Sequence, residues 1–276
     1  MMGSSSTEAA THTSYSGLAV MYDTYRPRYP TTLIDFLEFQ ATRRLGHHIR
    51  VMDVGAGTGI FTRQLARALS CASIIVGVEP NGDMRATATS ASSNKAKVQF
   101  RDGSAEALPV EDKGIALLTA ASAATWFNRS KFYAEALRVL EDNGLLALLM
   151  IRRNLAVSAL FLEYERYHVQ HIPGFRIGTF ETFEGKYEDV DFSTELCGIS
   201  DFSDVESLRV FWSEQLSWEQ FIGLSLSRSD TKKIIQVNGL DHTIEWHKKL
   251  FNSHCMADQT VLAEWYGELC FATKRT

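Results

Sequence analysis

The chain has 276 residues, of which 45% are apolar and 22% charged, the balance of a globular protein with a buried core. Its net charge of −5, with no basic block to offset it, speaks against nucleic acid or an anionic membrane surface as a partner. No apolar run approaches the ~20 residues of a membrane span, and Cys71, Cys197, Cys255 and Cys270 lie too far apart for a zinc or paired redox motif, so no metal is expected and the thiols are read as reduced in a cytoplasmic protein.

Residues 1–14, rich in Ser, Thr and Ala and lacking an apolar signal core, are expected to form a disordered leader. Up to residue 151, short apolar runs alternate with helical patterns. Strands are expected at 49–54, 74–78, 98–101, 115–120 and 145–151, and helices near 60–70, 82–93 and 130–141. Such alternation predicts a parallel sheet with helices on both faces and a ligand at the carboxyl ends of its strands. Asn143-Gly144 reads as a helix stop followed by a turn. From Arg152 the alternation fails. A helical pattern at 155–169 precedes Phe175, Phe180, Phe183, Tyr187 and Phe192. This stretch is either a cap that contacts substrate or a hairpin that covers a sheet face. A long strand is expected at 204–216, helices at 218–228 and 241–252, and a last strand within 261–273.

The most informative segment is Val51-Met-Asp53-Val-Gly55-Ala56-Gly57-Thr-Gly59, followed by the helical run from Ile60. Alternating glycines let backbone pass close to a bound group that any side chain would block. A dinucleotide fingerprint would read Gly-x-Gly-x-x-Gly; here the spacing is Gly-x-Gly-x-Gly with an acid just upstream. A carboxylate beside the turn suits a cationic amino-acid ligand better than a pyrophosphate, which favours S-adenosyl-L-methionine over NAD. Glu79, about 20 residues beyond Gly59, closes the next apolar run with a second carboxylate.

Five segments, in order, resemble the class I S-adenosylmethionine-dependent methyltransferases. Within them the likeness is to the small-molecule branch of ubiquinone/menaquinone-type and trans-aconitate-type enzymes. The segments are Tyr22-Asp-Thr-Tyr25-Arg26-Pro27-Arg-Tyr29-Pro30, the 53–59 turn, Val76-Gly-Val-Glu79-Pro80 with Met84, Ser104-Ala105-Glu106-Ala-Leu108-Pro109, and Trp126-Phe127-Asn128 with the helix leading to Gly144. Fainter likeness continues at 225–229 and 258–261. The resemblance implies an α/β fold: a doubly wound, mostly parallel, seven-stranded Rossmann-like sheet with a substrate cap inserted after strand five. It divides the chain into lid helices at 15–45, a cofactor-binding core at 46–151, a cap at 152–200, and strands and helices at 201–276 that complete the sheet.

The same resemblance implies roles. Asp53 faces the ligand's ammonium group, Glu79 its ribose, Met84 its adenine face, and Ser104 and Ala105 the adenine edge. Tyr22 and Arg26 fold over it, or else form a surface helix pinned by prolines. Gly55, Ala56, Gly57, Gly59, Pro80 and Ala120 complete the expected cofactor set, with S-adenosyl-L-homocysteine as product. The family's His-Trp-Phe-Asp reads Thr125-Trp126-Phe127-Asn128 here, and many relatives carry Asp at Ser104 and at Ala116. No general base transfers from the family. His168, His171 and Arg152 are the weak catalytic candidates, each also readable as structural or solvated. The expected activity is methyl transfer to a small-molecule oxygen, hydroxyl or carboxylate, by a monomer or weak dimer. The alternative is a non-methylating member that binds the cofactor structurally or as a cyclase-like catalyst.

Overall fold

Strand β1 (Ile49–Val54) is apolar toward both faces except at Arg50 near its start and Asp53 near its end, and such a strand needs cover above and below. In the computed structural model of the chain, which describes residues 15–93 and 97–276, β1 lies third from one edge of a seven-stranded sheet. The expected leader at 1–14 lies outside the described residues. β2 (Ala72–Val78), β3 (Val98–Arg101), β4 (Ile115–Ala121) and β5 (Leu140–Arg153) run parallel to it. Two long strands follow much later in the chain: β8 (Phe202–Leu216) and β9 (Val261–Lys274). β9 inserts antiparallel between β5 and β8, giving the order β3-β2-β1-β4-β5-β9-β8. This is the expected doubly wound, mostly parallel, Rossmann-like sheet. The chain steps outward from β1 to β3, then returns to β4 on the other side of β1, which opens a crevice at their carboxyl ends.

Alternate residues of each strand supply the two faces. Met52, Val54, Leu118, Leu146 and Leu148 pack with Phe132, Ala136 and Val139 of α5 (Arg129–Val139). Val51, Ile75, Leu117, Leu145 and Ala147 meet Leu33 and Leu37 of α2 (Thr31–Leu45) and Phe61 and Leu65 of α3 (Ile60–Ala68). Each fully buried Leu here contributes about 1.5–3 kcal/mol. α2 therefore belongs to a sheet-covering layer. Within the 15–45 segment it is α1 (Ala19–Tyr25) that reaches the crevice. The helix stop expected at Asn143-Gly144 comes earlier: α5 ends at Val139 and Leu140 already pairs with Ile115. Asn143, at φ 63°, sits in the register shift that follows.

Between β5 and β8 lie α6 (Ala159–His171), the two-stranded hairpin β6 (Phe180–Glu181) and β7 (Tyr187–Glu188), and α7 (Phe192–Cys197). α6 starts four residues later than its periodicity predicts, because Ser158 caps it by accepting from the Phe161 N–H at 3.4 Å. A second insertion, between β8 and β9, carries α8 (Trp218–Leu226), α9 (Ser229–Asn238) and α10 (Leu240–Ser253). The polar run of α9 shows no helical stripe in the sequence. These helices do not extend the sheet; Phe221, Leu224, Leu250 and Phe251 pack with Leu160, Phe161 and Tyr164 of α6. No helix among the described residues is long and apolar enough to cross a membrane.

Candidate functional site

The turn after β1 is folded back onto β2: the N–H groups of Gly55 and Ala56 both donate to the Val78 carbonyl, at 2.8 and 3.0 Å. Its glycines differ in purpose. A Cβ on Gly55 would lie 2.6 Å from that of Ala123, so this glycine serves close packing. A Cβ on Gly57 would meet nothing within 4 Å. That open space belongs to two adjoining cavities, of about 520 and 110 Å³, which share Tyr15, Tyr22, Gly55, Gly57, Ser122 and Trp126 in their walls. They lie where topology places them, at the carboxyl ends of β1, β2 and β4.

Asp53 lines the larger cavity. Its carboxylate oxygens accept from the hydroxyls of Thr62, at 2.6 Å, and Thr119, at 3.0 Å. Burial pushes its carboxyl up to about 7, and the two hydroxyls pull against that rise. Such a group is held ready for a cation. Glu79, in the smaller cavity, accepts from the Gly57 N–H at 2.8 Å and from the Asn81 N–H at 2.9 Å. It thus ties the glycine turn to the start of α4 (Gly82–Ser90), where Asn81 is the N-cap. Pro80, Met84 and Ala105 give this cavity apolar walls.

Tyr22 borders both cavities and Arg26 the larger. The Arg26 guanidinium sits over the Tyr22 ring at 4.7 Å, and its Nε is buried without a hydrogen-bond partner among the described residues. Burial pushes the Tyr22 and Tyr29 phenols up, so both stay protonated donors. The α1 segment is fastened to the turn through Arg63, which donates to the Thr58 carbonyl at 2.6 Å and pairs with Asp23 at 2.5 Å.

Other expected residues stand outside the cavity walls. Gly59 adopts φ 80° as N-cap of α3 and is covered by the Phe100 ring. Ala120 is fully buried in the sheet core; Ala121 and Ser122, one and two residues on, line the larger cavity instead. Ser104 forms a bridge with Ala107 and lines neither cavity, whereas Ala105 does. His168 is fully buried, with Nδ1 at 2.9 Å from the Tyr164 carbonyl and Nε2 at 3.7 Å from Asp230. His171 is set 2.8 Å from the Tyr167 carbonyl, against the Tyr167 ring. Neither histidine lines either of these two cavities. Arg152 does, pairing with Asp189 at 3.3 Å and covering the Phe180 ring.

Among the wall residues, Arg153 is legible beside Arg152 at the exit of strand five as a clamp for an acidic substrate, and Thr125 and Trp126 stand in the family-like segment. Ser122, Arg228 and Asp230 escape the sequence reading. Ser122 takes a left-handed φ of 51° at the end of β4 and receives the Tyr29 hydroxyl at 2.9 Å; nothing local in the sequence marks such a turn. Thr125 and Trp126 also line the larger cavity. Asn128 does not: its side chain caps α5, accepting from Lys131 N–H at 3.4 Å. Asn and Asp cap equally well, so this departure from the family pattern falls on helix architecture. Arg153, Glu165, Arg228 and Asp230, on three different elements, meet at the same cavity. Burial presses Asp230 upward, but Arg228 and His168 outweigh it and hold its carboxyl well below the usual range.

In a comparison with known proteins, residues 52–148 match the family model of a methyltransferase domain. An uncharacterized methyltransferase of Mycobacterium tuberculosis is 31% identical over 142 residues, 51% of this chain and 53% of that protein. The chain thus spans about half the length of the curated relatives it matches. A solved protein of Anaeromyxobacter dehalogenans, provisionally named a type II methyltransferase, superposes with a TM-score of 0.65 at 18% identity, covering 91% of this chain and 98% of its own. Phosphoethanolamine N-methyltransferase 2 of Haemonchus contortus, solved with S-adenosyl-L-methionine, gives 0.52 at 15% identity over 98% of this chain and 57% of its own. At such identities the likeness concerns the fold alone.

Proposed function

From the match of residues 52–148 to a methyltransferase domain and the site described above, we propose that the chain transfers a methyl group from S-adenosyl-L-methionine to an oxygen of a small molecule. The observation that carries this reading is the pairing of Asp53 and Glu79 across one glycine turn, at the junction of a narrow apolar-walled cavity and a wider one. The donor chemistry fits the ligand. Asp53 holds the ammonium group, and Arg26, whose Nε is buried without a hydrogen-bond partner among the described residues, takes the ligand's carboxylate. Glu79 accepts the ribose hydroxyls. Met84, Pro80 and Ala105 flank the adenine, and Gly57 leaves the space through which the ligand runs. Ser104, Gly59 and Ala120 act behind the walls, through the backbone and the core.

When bound, S-adenosyl-L-methionine supplies a sulfonium-activated methyl, so the protein's task is alignment and exclusion of water. Tyr15, Tyr22 and Trp126, with ring centroids 5.6 and 5.8 Å apart, cover the junction of the cavities. The acceptor occupies the larger cavity among Arg152, Phe180, Trp265 and Tyr266. With His168 and His171 away from that wall, the reading assigns no histidine base. An acceptor oxygen that is already anionic at neutral pH needs none.

Calorimetric titration with S-adenosyl-L-methionine and S-adenosyl-L-homocysteine tests the reading. Both are expected to bind, and Glu79→Ala to weaken them by about 1.5–3 kcal/mol, the scale of lost hydrogen bonds to a charged group. Equal binding by wild type and variant would move the site elsewhere.

A further inference from the structure

The larger cavity carries an imbalance between donors and acceptors. Both oxygens of Glu165 are engaged, one with Arg153 Nη1 at 3.0 Å and the other with the Gly178 N–H at 2.6 Å. Both oxygens of Asp230 are engaged as well, by Arg228 and by the Thr231 N–H. The arginines are not used up. Arg153 spends only Nη1 in a hydrogen bond, and Arg228 only Nε and Nη2, among the described residues. Each guanidinium has five N–H donors and no acceptor. Two further donors in the wall, the Tyr187 hydroxyl and the Trp265 indole N–H, are buried without a partner among the described residues. The unspent arginine donors at this wall suit a ligand that brings acceptor oxygens.

Shape and chemistry narrow the class. A planar guanidinium fork matches a carboxylate with two parallel hydrogen bonds. Arg153, at the end of β5, and Arg228, at the N-cap of α9, line the same cavity, and the charge of Arg228 adds to burial in lowering the Arg153 guanidinium. Phe180, Tyr187, Trp265 and Tyr266 add aromatic surface to the same wall. We propose that the acceptor is a small carboxylic acid with an aromatic or conjugated body, its carboxylate seated on Arg153 and Arg228. This rests on the reading that the larger cavity receives the methyl acceptor, and it names the class of that acceptor.

The test is calorimetry on the full chain saturated with S-adenosyl-L-homocysteine, with trans-cinnamate and the isosteric cinnamamide as probes. Cinnamate is expected to bind at least tenfold more tightly than the amide. The double variant Arg153→Gln with Glu165→Gln removes both charges of one pair while keeping shape. It is expected to lose that preference and to retain S-adenosyl-L-homocysteine affinity. Equal binding of acid and amide overturns the proposal, as does failure of both to bind while S-adenosyl-L-homocysteine saturates. A folded double variant that keeps the tenfold preference overturns it too. Should the double variant not fold, the wild-type ratio of acid to amide decides. Absence of S-adenosyl-L-homocysteine binding defeats the cofactor reading instead, and the acid–amide ratio in the unliganded protein then decides this one.

Discussion

Asp53 is a carboxylate inside a central strand, with Thr62 and Thr119 as its hydrogen-bonding neighbours. Because its folded carboxyl is raised to about 7 from the ordinary 3.8, its contribution to stability is full below the unfolded value and is lost as pH rises through about 7. An ammonium group reverses the balance, since it favours the ionised form. Affinity for S-adenosyl-L-methionine is therefore expected to climb between pH 6 and 8, with the proton leaving Asp53 on binding. Titrations in buffers of differing ionisation enthalpy read that proton directly. Asp53→Asn should flatten the dependence, and an unchanged profile would show that another group titrates. At this scale the sequence already singled out Asp53 and Glu79, because acids at strand ends beside a glycine turn have few structural reasons to be there.

The turn and the helices around it behave as elements with separable duties. Gly57→Val points into open space at φ 55°, so it is expected to remain folded, at a cost of roughly 1–2 kcal/mol for the left-handed backbone, and to lose ligand binding. Gly55→Ala drives a methyl against Ala123 and the Phe127 ring and should destabilise by about 1–3 kcal/mol. Thermal melts paired with ligand titrations separate the two. The cap of α5 gives a third case. Asn128→Ala should cost about 1 kcal/mol and Asn128→Asp almost nothing, both without change in ligand affinity. A loss of binding in Asn128→Asp would return that position to the site.

Over the whole molecule, two insertions separated by the strand β8 assemble one helical layer beside the sheet. Phe221 of α8 is its hinge of packing, with ring centroids 5.9 Å from Phe251 and 6.4 Å from Tyr164. Phe221→Ala is expected to destabilise by about 3–5 kcal/mol and to direct the first cuts of limited proteolysis to 217–260. The layer matters because Arg153 leaves the sheet at the end of β5 while Arg228 and Asp230 flank the start of α9. Only this assembly brings them to one cavity. Cleavage spread evenly along the chain would show that the insertions are not a cooperative unit.

By itself the sequence determined the strand–turn–helix unit at 49–68, the acidic end of β2, the alternation that builds a parallel sheet, and the long strands that finish it. These are local patterns, set by a period of two or 3.6 residues and by glycine's freedom at positive φ, so neighbours in the chain carry the whole signal. Tertiary structure alone decided that α2 covers the sheet and that Ala121 and Ser122 line the cavity in place of Ala120. It also withdrew His168 and His171 from the wall and brought Arg153 and Arg228, 75 positions apart, to one cavity. Which side of a strand meets a cavity depends on the register of its partners. Which charges meet depends on loops closing over long distances, and no local pattern encodes either.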